Sequence, residues 1–330
     1  MGGTAHDFHR SLSCGWPGGQ RGTLPAMATG ALPDVAIPVP STAAPAARIV
    51  GRFGVAGAIA LAGALGCYVV LVGTHSGQAL ENLALDGARS MVPSLRRESL
   101  PSLSEVVLVA FGLALALLAV VALLRRRPVL LITTGAAMVG SVAAVQLIAA
   151  TLTRPELTPA PPEWIQNDFP SGHVAVAVAL GLGLVMLVPS RVRASATVVA
   201  AVWAIGVGQA VGITGWHRMS AVVGATLIVA AFACLGIIVL AVAGRVRPLR
   251  SSRLIAALVA TLVIGVAAFL LGGDAFALAF VRLVVEHQLP EDVRADLVFS
   301  ATSLAGSAAV AGTFIAFLWL LRPYALDEPG

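Results

Sequence analysis

Eight apolar runs dominate this chain, at about residues 51–73, 104–124, 128–151, 171–189, 195–214, 219–243, 254–272 and 297–321. Each is close to the roughly 20 residues that a helix needs to cross the hydrocarbon core of a bilayer. The predicted fold is therefore all-α: a polytopic membrane helix bundle of about eight spans. Composition agrees, because 58% of the 330 residues are hydrophobic and only 11% are charged, which no soluble domain tolerates. Gly and Ala stud the runs, as at Gly54, Gly57, Gly63 and Gly66, and small residues let helices pack closely in lipid.

Arginine sets the expected orientation. All 21 basic residues are Arg. Arg48 and Arg52 precede the first run. Arg125, Arg126 and Arg127 lie between the second and third, Arg191 and Arg193 between the fourth and fifth. Arg245, Arg247, Arg250 and Arg253 lie between the sixth and seventh, and Arg322 follows the eighth. With eight spans these ends share one side, which the positive-inside rule makes cytoplasmic, together with both termini. The opposite loops hold most of the acids, including Glu81, Asp168 and Asp274. The expected setting is a cell membrane. A pI near 10 from span-end arginines does not point to nucleic acid.

Residues 1–47 are rich in Gly, Pro, Ser and Thr without periodicity and read as a disordered cytoplasmic tail. Met27 is an alternative start, and no signal peptide is evident. His6 and His9 fall in this tail. Cys14, Cys67 and Cys234 are scattered, which argues against a disulfide framework or a metal site. No cofactor is expected, and the oligomeric state is not legible.

One polar and aromatic knot interrupts the apolar pattern: Asn167-Asp168-Phe169-Pro170-Ser171-Gly172-His173. It opens the fourth run. Pro and Ser suit the start of a helix, and Gly lets a ligand approach the backbone. The first N–H groups of a helix lack internal partners and bind anions such as phosphate. A His there exchanges protons near neutral pH. The chain then descends one span, turns at Pro189-Ser190-Arg191, and returns to Gly215-Trp216-His217-Arg218. His173 and His217 are 44 residues apart, yet two helices of equal length bring them to one face. Arg154 ends the preceding span on that face. An Arg, a helix N-terminus and two His residues can thus converge at one membrane interface. Trp164 and Trp216 suit interfacial anchoring or the lining of an acyl-chain entrance. His75, Arg89, Arg96 and Arg97 read as a polar outer loop. Val281–Arg294, with His287, reads as a short surface segment.

These residues resemble the membrane branch of the type 2 phosphatidic acid phosphatase family. That family carries Lys-x6-Arg-Pro, then Pro-Ser-Gly-His, then Ser-Arg-x5-His-x3-Asp. Arg154-Pro155 matches the end of the first motif, and Pro170-Ser171-Gly172-His173 matches the second in full. Thr214–Ser220 is similar to the third around His217. The resemblance implies a six-span phosphatase-like core at 48–245, with residues 246–330 adding two C-terminal spans. It also implies hydrolysis of a lipid phosphate or polyprenyl pyrophosphate on the extracytoplasmic face. His217 would be the nucleophile, forming a phosphohistidine. His173 would be the acid and then the base. Arg154, Ser171 and Gly172 would hold the phosphate. No metal is implied, and the partner is a membrane lipid substrate.

The chain departs from the pattern at three positions. Leu147 stands where the first motif has Lys, Val211 where the third has Arg, and Ala221 where the third has Asp. Auxiliary roles fall to Asp168 and Arg218, the first otherwise a loop cap and the second otherwise a solvated interfacial anchor. The alternative to a phosphatase is a catalytically impaired relative that binds lipid phosphate or a partner protein without turnover. A transporter is disfavoured because no ionisable residue falls in mid-span.

Overall fold

A computed structural model describes residues 43–91, 127–161, 165–249 and 290–326, with the isolated helical positions Gly112, Ala116 and Val120. The chain divides into two units, Met1–Ser41 and Thr42–Gly330, and all described residues belong to the second. Helix α1 covers Ala43–Cys67 and runs into a π-helical turn, Tyr68–Val72; α2 covers His75–Met91, α3 Pro128–Thr151, α4 Gly172–Leu187, α5 Arg193–Ile213 and α6 Met219–Val242. Strand β1 (Val246–Pro248) precedes helix α7 (Glu291–Leu321), and strand β2 (Tyr324–Leu326) closes the described chain.

Five of these segments are long and apolar enough to cross a membrane: Ala46–Val72, α3, α5, α6 and α7. The protein is a multi-pass, all-α membrane bundle. The expected runs 104–124 and 254–272 lie outside the described residues, apart from the three isolated positions, as do Arg96, Arg97, Trp164 and His287. The expected surface segment Val281–Arg294 is resolved differently at its end: Glu291–Arg294 form the first turn of α7.

Sequence explains which helices sit in the middle. Helices apolar around their whole circumference have no face for water or headgroups and pack inside. The central helix is α6, with 67% of its most apolar window buried, against 22% for Ala46–Val72 and 28% for α5. It packs against α1, α3, α4 and α7. Gly57 of α1 faces Cys234 of α6, where a Cβ would lie at ordinary contact distance, 3.4 Å from Cys234 Cβ.

Helix α4 is short. Its 16 residues span roughly 24 Å at 1.5 Å per residue, against a hydrocarbon core of about 30 Å. Ser171 at its N-cap is fully buried. The start of α4 is packed between helices, with Phe169, Pro170 and Ser171 buried and Asn167, Asp168, Gly172 and His173 half-buried.

The segment expected to be a polar outer loop contains a helix, α2. It packs along α7, so closely that a Cβ on Gly87 would overlap the backbone of Ala295. At the opposite end of the bundle, β1 and β2 pair antiparallel, Val246 with Leu326 and Pro248 with Tyr324. Arginines hold that end. Arg193 donates to the carbonyls of Tyr324 (2.8 Å) and Leu321 (3.4 Å). Arg127 donates to Leu326, and Arg52 lies 4.6 Å from the Trp319 ring centroid. Cations suit the free carbonyls at a helix C-terminus.

Candidate active site

The knot is built around backbone exchanges between the α4 and α6 starts. Ser171 donates its N–H to the Ala221 carbonyl at 3.0 Å. Its hydroxyl caps α4 by accepting from the Val174 N–H at 3.4 Å. Asn167 ties the approach loop to the end of α3, donating to the carbonyls of Ala149, Leu152 and Phe169. The Phe169 ring is buried and stacks at a tilt on Tyr68. Gly224 of α6 is the floor of this loop, because a Cβ there would overlap the Phe169 ring.

His217 reaches the site through a tight turn. Gly215 has φ +69°, a left-handed conformation that favours glycine at the end of a helix. The turn returns the N–H groups of Trp216 and His217 to the carbonyl of Val211. His217 and His173 lie with ring centroids 5.8 Å apart, and Trp216 packs on His173 at 5.3 Å. The His217 Nδ1 is 3.1 Å from the backbone carbonyl of Asp168. A carbonyl only accepts, so this contact fixes Nδ1 as the protonated nitrogen and leaves the lone pair on Nε2. Burial pushes the His217 imidazole below its ordinary value; the Asp168 charge and carbonyl oppose this, and Arg218 adds to it.

Two arginines and two carboxylates surround this pair. Arg154 is buried and places Nη1 and Nη2 at 3.3 and 3.4 Å from Glu81 Oε2. Nη1 is also 3.8 Å from Asp168 Oδ1. Arg218 places Nη1 3.1 Å from Asp168 Oδ1. Its N–H donates to Asp168 Oδ2 at 2.9 Å, and its Nη2 donates to Asn82 at 3.3 Å. Glu81 is 1% exposed and accepts from the Ser220 N–H at 3.0 Å. Burial pushes the Glu81 carboxyl up; Asp168 adds to this, while Ser220 and Arg154 oppose it. Burial lowers Arg154 from its ordinary value, as does Arg218, while Glu81 and Asp168 oppose this. Together these four side chains are close to neutral.

The structure brings His173, His217, Arg154, Ser171, Gly172, Asp168 and Arg218 to one end of the bundle. Arg218 is not a solvated anchor, since it is 6% exposed and held by Asp168. Asp168 does more than cap a loop, because it ties both arginines and His217. Gly172 faces Gln146, whose amide nitrogen would be 2.6 Å from a Cβ there. His75 opens α2 and is exposed, and Gln209 bonds to α7 instead of reaching the site.

The three departures have separate outcomes. Leu147 is 65% exposed and points away, while the preceding Gln146 faces Gly172. Val211 and Ala221 are fully buried and contribute their carbonyls to the turn and to Ser171. Glu81 is the residue that sequence reading missed. It comes from α2, 136 positions before His217, and enters one residue from Ala221 by bonding Ser220. The available signal was the helical spacing of Gln78, Glu81, Asn82 and Leu85.

Among the described residues, no group of three or more His, Cys, Asp and Glu gathers as metal ligands would. No curated protein and no solved structure matches the chain. Residues 105–247 match the family model described as the PAP2 superfamily. That segment includes both histidines, both site arginines and Asp168, but not α2 or α7. Over that segment, less than half of the 330 residues, the chain is similar to the type 2 phosphatidic acid phosphatase-like superfamily.

Proposed function

We propose that the protein is an integral membrane phosphatase acting on a lipid phosphate or polyprenyl pyrophosphate. The observation that carries this reading is the His217 Nδ1 contact with the Asp168 carbonyl, beside His173. It supplies the orientation that the family draws from the carboxylate absent at Ala221. His217 Nε2 attacks phosphorus, the bond to the lipid oxygen breaks, and His173 gives that oxygen a proton. His173 then takes a proton from water, water attacks phosphorus, and the phosphorus–nitrogen bond breaks to release phosphate. Arg154, Ser171 and the N–H groups at Gly172 hold the phosphate oxygens. In this reading the chain has eight spans in a cell membrane, with its termini cytoplasmic and its site outside. Residues 48–245 are the catalytic core.

Phosphate release in detergent, from phosphatidic acid and from a polyprenyl pyrophosphate, tests it. The expected result is release that falls to background in His217→Ala. Equal background from both proteins would remove the catalytic reading.

One observation favours a second reading, binding without turnover. Glu81 already holds the Arg154 guanidinium, so a phosphate must displace a carboxylate to reach that cation.

A further inference from the structure

A narrow cleft opens from the site between α2, α5, α6 and α7. His217, Arg218 and Glu81 stand at one end of it. Beyond them its walls are apolar or small, with Leu85, Gly208, Gly212, Val222, Gly306 and Val310. The polar side chains along the walls turn to protein. Gln209 donates to the Ser303 carbonyl at 2.9 Å and the Ser307 hydroxyl at 2.6 Å. Thr302 donates to the Val298 carbonyl. With these donors turned to protein, the walls offer mostly apolar contact, which suits a hydrocarbon.

Depth gives the second constraint. The cleft follows α7 from Phe299 to Val310, roughly 16 Å of helix at 1.5 Å per residue. Half of a hydrocarbon core of about 30 Å is similar, so the cleft is as deep as one leaflet. Among the described residues, nothing lies within 4 Å of where a Cβ on Gly212 would be.

We propose that this cleft receives one hydrocarbon tail of the lipid whose phosphate sits at His217, with Gly212 and Gly306 setting its bore. The proposal rests on the phosphatase reading for the headgroup. It assigns a substrate-selecting role to α7, which lies beyond the family-matched residues. Substrates with a long, slender chain fit; a water-soluble phosphomonoester leaves the cleft unused.

Gly212→Leu and Gly306→Leu fill the cleft. Both suit a helix interior, and a Cβ on Gly306 would sit at ordinary contact distance, 3.7 Å from Met219 and 3.8 Å from Val222. Displacing even two methylenes should lower kcat/KM for a long-chain phosphatidic acid about tenfold. Turnover of a short, soluble phosphomonoester should stay unchanged. Parallel losses on both substrates, or no loss on either, would overturn the proposal. A turnover-independent arm separates it from the phosphatase reading. Phosphatidic acid carrying a diazirine at mid-tail should label residues 299–310 of the unaltered protein, and Gly212→Leu should abolish that label. Labelling elsewhere, or labelling that Gly212→Leu leaves intact, rejects the cleft. Absence of phosphate release with the expected labelling rejects only the hydrolysis.

Discussion

At the scale of single residues, the site replaces missing side chains with groups from elsewhere. Asp168 performs two tasks with different atoms: its carbonyl holds His217 and its carboxylate holds Arg218. The position-by-position reading of the third motif could not anticipate this, because a backbone carbonyl leaves no mark in residue identity. Two outcomes follow. Because burial keeps His217 neutral to lower pH than an ordinary imidazole, the acidic limb of kcat/KM should fall below about 6.5. The measurement is a pH–rate profile corrected for the substrate's own ionisation, and a limb above pH 7 contradicts the assignment. Glu81→Gln keeps an acceptor for the Ser220 N–H but removes the charge that competes for Arg154. Inorganic phosphate should then bind about tenfold tighter by calorimetry, the scale of one charge-assisted hydrogen bond. Unchanged or weaker binding would make Glu81 only a tether for α2.

At the level of elements, the site depends on how the loop before α4 seats on α6. The helical character of the run after His173 was legible from Ser171 and Gly172, which begin α4 as their residue types require. The seat of the loop before it was not, because that is made by the Phe169 ring against Gly224 of α6. Gly224→Ala should therefore lift the loop that carries Asp168. The expected cost is about 1–3 kcal/mol, typical of overpacking, read as a lower midpoint of thermal unfolding in detergent. Turnover should fall further than Gly208→Ala lowers it, since a Cβ on Gly208 meets only Val222, at 3.4 Å. Equal effects of the two substitutions would detach the Phe169 seat from the site. Helix α2 was hidden for a different reason. Its mean polarity resembles that of a loop, and only its packing along α7 gives the segment a buried face.

At the scale of the whole molecule, orientation is testable with accessible cysteines. After Ala replaces Cys14, Cys67 and Cys234, an impermeant thiol reagent added to intact cells should label Glu156→Cys and spare Arg191→Cys. Both positions are exposed, one at each end of the bundle. The reverse pattern would place the site on the cytoplasmic side. The arginines at Arg52, Arg127 and Arg193 carry a second role that charge counting misses, since they bond the chain near α7 and β2. That this chain forms membrane helices follows from its residues alone, because runs of apolar residues of that length have one stable solution in a bilayer. That His173, His217 and Arg154 share a face follows from them too, because helix length and parity are one-dimensional properties. Packing in three dimensions settles which carboxylate meets Arg154, that the Asp168 carbonyl contacts His217, and that a cleft opens beside α7. Those depend on distances between segments far apart in sequence, fixed by the packing of small residues around α6, which local patterns do not encode.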